Sequence, residues 1–96
     1  MSTQLARITL RREQSHYDGL LQQLRHSRAV LRQLESQIIA LEERVDALPR
    51  GHPTMPAQRA ALAAARSYAR LRAELILSLE HSIREQRAKL RRLQGQ

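Results

Sequence analysis

The stretch Pro49-Arg50-Gly51-His52-Pro53-Thr54-Met55-Pro56 decides the fold. It gathers all three prolines of the chain and one of its three glycines into eight residues. Proline lacks the backbone donor and clashes with the preceding turn, so no helix continues through such a run. No proline occurs from Ser2 to Leu48 or from Ala57 to Gln96. Both flanks are dominated by Ala, Leu, Arg, Gln and Glu, the strongest intrinsic helix formers. The 96 residues contain no Phe, Trp or Cys and only two Tyr. One domain at most fits that length, and so little bulk favours long helices over a compact globule.

Upstream of the break the apolar residues recur in heptads. With Leu10 as position a, the a sites are Leu10, Tyr17, Leu24, Leu31, Ile38 and Val45, and the d sites are Glu13, Leu20, Ser27, Leu34, Leu41 and Leu48. Ten of these twelve are apolar, over more heptads than a coiled coil requires. Leu5 and Ile8 fall out of frame, and Gly19 lies off the seam at a cost of about 1 kcal/mol of helix propensity.

Downstream the pattern is less regular. An apolar stripe passes through Ala61, Ala64, Tyr68, Leu71 and Leu75, then Leu79, Ile83, Gln86, Leu90 and Leu93. Its steps of four between Leu71 and Ile83 predict a stutter that locally unwinds a left-handed supercoil. Leu75, Ile76, Leu77 and Leu79 spread apolar surface around the helix and predict a patch for a second copy or another protein. A short loop joins neighbours, so the expected fold is all-α: two long helices in an antiparallel coiled-coil hairpin. The single domain spans residues 1–96, with a helix over about 3–48, the loop at 49–56 and a helix over about 57–94. The Ala-rich start of the second helix (Ala57, Ala60, Ala61, Ala63, Ala64, Ala65) is expected opposite Leu41, Val45 and Leu48.

The net charge is +8, and sixteen of the seventeen basic residues are Arg. An antiparallel hairpin brings Arg7, Arg11, Arg12 and Glu13 beside Arg84, Glu85, Arg87, Lys89, Arg91 and Arg92. That end carries a net +6 and leaves the middle and tip close to neutral. Charge runs usually face solvent, and cations near a helix C-terminus also favour its dipole. The functional alternative is a basic end formed by Arg7, Arg11, Arg12, Arg84, Arg87, Lys89, Arg91 and Arg92 that docks on an acidic protein surface. Nucleic acid fits less well, since no aromatic residues interleave these arginines for stacking and no helix-turn-helix, zinc finger or basic-zipper arrangement is present.

Glu13, Ser27, Arg72 and Gln86 occupy positions that the apolar pattern would give to Leu. Pairing about the loop centre places Arg72 near Glu35. There its long stem covers the seam with the guanidinium in water, or a polar seam fixes register and partner number. His16, His26, His52 and His81 lack the spacing of zinc ligands and read as surface residues. No grouping of Ser, His and Asp, paired carboxylates or phosphate-cradling loop can be assembled, so no catalytic site and no cofactor are expected. Chorismate mutases have similar length and many arginines, but they need three helices and a buried Arg, Lys and Glu or Gln cluster. No apolar window is long enough to span a membrane, no secretory signal opens the sequence, and a cysteine-free chain fits the cytoplasm.

The segment Leu5-Ala6-Arg7-Ile8-Thr9-Leu10-Arg11-Arg12-Glu13, leading into Leu20-Leu21-Gln22-Gln23-Leu24-Arg25, resembles the opening of the central-stalk proteins of flagellar and type III export ATPases, the FliJ/YscO type. The resemblance lies in coiled-coil texture along the whole chain. It implies a non-enzymatic Arg- and Gln-rich hairpin whose open end enters a hexameric ATPase ring and links it to an export gate. This chain is about a third shorter than family members usually are. Small helical-hairpin secretion chaperones fit the length better, and they cover partners with exposed apolar faces. Two functions are therefore expected to compete: a stalk or adaptor acting through the basic end, and a chaperone or self-assembling scaffold acting through the Leu75–Leu79 patch, with a homodimer as one form of the latter.

Overall fold

The computed structural model describes residues 2–95; Met1 and Gln96, the ends of the expected domain, lie outside the described residues. Two α-helices account for the fold, α1 (Ser2–Ala47) and α2 (Met55–Gln94), with no strand among the described residues. They form an antiparallel helical hairpin. The contacts divide it into two compact units, a terminal unit of Met1–His26 with Ile76–Gln96 and a loop unit of Ser27–Leu75.

The turn is built from the residues that break the helices. His52 N–H donates to Pro49 C=O at 3.1 Å, closing a four-residue turn with Gly51 at φ +76°. That conformation at the third turn position is the reason for glycine there. A second turn follows, with Met55 N–H donating to His52 C=O at 3.0 Å and Pro53 inside it. His52 Nδ1 accepts from Thr54 N–H at 3.2 Å and lies 2.8 Å from Thr54 Oγ1, so an imidazole organises the entry to α2. The first intrahelical bond runs from Gln58 N–H to Thr54 C=O at 3.0 Å. The helix starts at Met55, two residues before the expected start, because Pro56 lies in the first turn, where a missing donor costs nothing.

In the loop unit, Arg66 meets Glu42 at 3.5 Å and Arg72 meets Ser27 at 3.3 Å. Rising numbers on α1 thus face falling numbers on α2. The α1 side of the seam is Ser27, Leu31, Leu34, Ile38, Leu41, Val45 and Leu48, all buried or half-buried. The α2 side is Met55, Gln58, Leu62, Ala65, Ala69 and Arg72, with Leu62 and Ala65 the most enclosed. In the terminal unit the seam joins Leu10, Glu13, Tyr17, Leu20 and Leu24 to Ile76, Leu79, Ile83, Gln86, Leu90 and Leu93. Ile83, 4% exposed, is its best-buried apolar residue.

The α1 frame is the one its heptads predict. The α2 frame differs. Its buried positions step by three and four without interruption in both units, so there is no stutter. Ala61, Ala64, Tyr68, Leu71 and Leu75 are all exposed, and of the Ala-rich start only Ala65 is buried. Arg72 takes a seam position and bonds Ser27, not Glu35, because Ser27 lies buried in the seam whereas Glu35 is exposed.

Candidate functional site

The terminal unit holds a polar cluster inside its seam. Gln86, 7% exposed, donates through Nε2 to Glu13 Oε2 at 2.7 Å and to Glu13 C=O at 3.0 Å. Lys89 Nζ sits 3.1 Å from Glu13 Oε1. The Gln86 amide first, then the Lys89 ammonium, hold the Glu13 carboxyl below the usual carboxylate range, against the opposing effect of desolvation. Hydrogen bonds to the charged form favour that form, so Glu13 is a fixed anion at neutral pH. Beside it, Arg87 Nε donates to Tyr17 Oη at 3.3 Å.

These contacts divide the eight expected basic residues. All lie in the terminal unit and all are exposed. Lys89, however, is ion-paired with Glu13, and Arg87 is tethered to a tyrosine. Arg7, Arg11, Arg12, Arg84, Arg91 and Arg92 carry the remaining positive field. Arg7 and Arg11 flank a groove of about 400 Å³ whose other walls are Leu10, Gln14, Ser15 and Gln94. The terminal unit contains nine basic and four acidic residues, the loop unit eight and five. Positive charge is thus denser at the termini, but the loop unit also keeps a net +3.

The expected apolar patch divides more sharply. Ile76 and Leu79 are seam residues, 9% and 7% exposed, because the three-four frame runs through them. They are not available to a partner. Leu75 and Leu77 remain exposed, at 42% and 67%, on different sides of α2. The larger apolar surface belongs to the residues first read as seam: Tyr68 is 63% exposed and Leu71 61%. With Leu75, Val30, Leu34 and the stem of Arg72 they line a groove of about 370 Å³ in the loop unit. The signal for this surface was in the sequence. Leu90, Ile83, Ile76, Ala69 and Leu62 recur every seven residues and define the seam, which leaves Tyr68 and Leu71 outside it.

His16, His26 and His81 are exposed, and His52 serves the turn. Among the described residues no group of three or more His, Cys, Asp or Glu is placed to hold a metal ion. No described helix is long and apolar enough to cross a membrane. Neither a family model, a curated protein nor a solved structure matches this chain.

Proposed function

We propose that this chain is a non-enzymatic helical-hairpin adaptor that docks its basic end on an acidic protein surface, in the manner expected of a central stalk in a type III export-like ATPase. One observation carries the proposal. Six arginines, Arg7, Arg11, Arg12, Arg84, Arg91 and Arg92, are exposed on one unit, while the half-buried seam anion of that unit, Glu13, is already occupied by Lys89 and Gln86. Their guanidinium groups suit bidentate contacts with carboxylates. Such charges steer encounter and confer salt sensitivity.

The test is copurification from native cells at low and high salt, with mass spectrometry of what is retained. The quadruple variant Arg84→Glu, Arg87→Glu, Arg91→Glu and Arg92→Glu is run beside the wild type. An acidic secretion ATPase or export component, lost at high salt and absent with the variant, is the expected result. Circular dichroism checks that the variant stays helical. Retention of the same partner by the folded variant at high salt overturns the proposal, as does recovery of nuclease-sensitive material alone.

A second function, the chaperone or scaffold, is favoured by the exposure of Tyr68 and Leu71. It uses the loop unit and leaves the arginines of the terminal unit as solubilising charge.

A further inference from the structure

The exposed residues Ala61, Ala64, Tyr68, Leu71 and Leu75 step by three, four, three and four along α2. That is the spacing of a coiled-coil seam, and it lies on a different face from the seam that meets α1. A stripe so spaced fits a second α-helix running nearly parallel or antiparallel to it. The groove beside it is floored by Val30 and Leu34, which widens the apolar surface.

The order of side-chain sizes along the stripe identifies the occupant. Two small residues, Ala61 and Ala64, come first, Tyr68 stands at the centre, and two large ones, Leu71 and Leu75, come last. Laid antiparallel on itself about Tyr68, the stripe sets Ala61 against Leu75, Ala64 against Leu71 and Tyr68 against its own copy. Small meets large at every level but the central one, where the two phenol rings take an offset or edge-to-face arrangement. The outer flank agrees. Ala60, Ser67 and Glu74 lie along it, so Glu74 comes beside Ala60 and Ser67 beside Ser67. A parallel pairing would instead oppose Glu74 to Glu74 and Leu to Leu, with like charges repelling and the axes held unevenly apart.

We infer that a second copy of this chain covers the Ala61–Leu75 stripe, packed antiparallel across a two-fold axis at Tyr68. This is a self-complementary contact, in which each residue meets its counterpart's partner on the other copy. Five side chains at about 60–120 Å² each give on the order of 400 Å² per copy. The total, on the order of 800 Å², lies below the roughly 1,000 Å² of a stable interface and in the range of weak, transient contacts, so the dimer is a reversible one, no tighter than micromolar. The inference stands on the loop unit and does not depend on the function proposed for the basic end.

The chain has no cysteine, so single-cysteine probes report cleanly. Sedimentation of the full chain at about 100 µM, well above a micromolar Kd, should give twice the 11.1 kDa chain mass. At the same concentration Leu71→Asp should return at least half of the chains to one chain mass with unchanged helicity, its dissociation constant raised about a hundredfold because each substitution counts twice. Under mild oxidation Tyr68→Cys should cross-link to itself, whereas Leu75→Cys alone should not; Leu75→Cys mixed with Ala61→Cys should. A single chain mass for the wild type, equal self-cross-linking of Leu75→Cys, or a dimer undiminished by Leu71→Asp overturns the inference. A third copy in the assembly overturns it as well.

Discussion

Gln58 and Gln86 occupy the same heptad position of α2, one in each unit, and differ in hydrogen bonding and in depth of burial. The Gln58 side-chain oxygen is buried and has no hydrogen-bond partner among the described residues. Gln86 donates to Glu13 at 2.7 and 3.0 Å. The same substitution, Gln→Leu, should therefore act differently at the two sites. At Gln58 it removes an unsatisfied acceptor worth about 1 kcal/mol at partial burial. It also adds about 1 kcal/mol of apolar contact, roughly half the value of a fully buried leucine. Gln and Leu have similar helix propensity, so that contribution drops out. Gln58→Leu should then stabilise the protein by about 2 kcal/mol.

At Gln86 the apolar gain is larger, about 1.5–3 kcal/mol. Losing an amide bond to a carboxylate costs about 1.5–3 kcal/mol, although Lys89 still holds Glu13. The net lies near zero. Urea denaturation monitored by circular dichroism reads both variants against wild type, with an unchanged m-value as the sign that the unfolded reference is the same. At about 4–8 °C per kcal/mol for a domain of this size, Gln58→Leu should melt about 8–16 °C higher and Gln86→Leu close to wild type. Equal stabilisation of the two variants would refute the reasoning, since it would mean that the seam rewards leucine at either position whatever the glutamine had been bonded to.

Glu13 and the glycines give two further tests. Because Glu13 binds its proton more weakly in the folded state, its contribution is fully present above the ordinary glutamate range, about pH 4.3. It disappears as the pH falls through the lower folded value. An NMR titration of the Glu13 carboxyl should show a midpoint below that of exposed glutamates, rising in Gln86→Leu; a midpoint at or above the ordinary value would contradict the assignment. Gly→Ala should have opposite signs at two positions where an added methyl meets nothing within 4 Å. Gly19→Ala, inside α1, should stabilise by about 0.8–1 kcal/mol. Gly51→Ala, at φ +76°, should cost about 1–2 kcal/mol, and thermal melts of the pair separate the two.

The hairpin was legible in the sequence because the proline cluster and the α1 heptads point the same way. Every a and d residue assigned on α1, from Leu10 to Leu48, is buried or half-buried. On α2 apolarity chose the wrong stripe. Between residues 57 and 75 two stripes share three-four spacing, and the exposed one, with Tyr68, Leu71 and Leu75, is the more hydrophobic. The buried one there contains Gln58, Leu62, Ala65, Ala69 and Arg72, and its Gln and Arg lower its hydropathy below that of the other. Continuity of frame from Leu90 back to Leu62 was the better guide. The basic residues were found from the fold, but their pairing was not. That Lys89 and Gln86 converge on Glu13 depends on side-chain reach, which periodicity does not encode.

The two units differ in what their interiors supply. Six of the eight most buried apolar residues, Leu20, Leu24, Ile76, Leu79, Ile83 and Leu90, belong to the terminal unit; the loop unit has Leu62 and Ala65. The terminal unit thus encloses more apolar surface and holds a satisfied polar cluster beside its exposed arginines. The loop unit leaves its α1 seam half-exposed and displays Tyr68 and Leu71 outside. A two-helix segment with that little enclosed surface is marginal alone. Covering the second stripe of α2 would bury the missing area from the side that α1 does not reach. Charge at one unit and uncovered apolar surface at the other therefore need not compete as explanations. An adaptor that self-associates through its loop unit would leave the arginine-bearing surface of its terminal unit open to a partner.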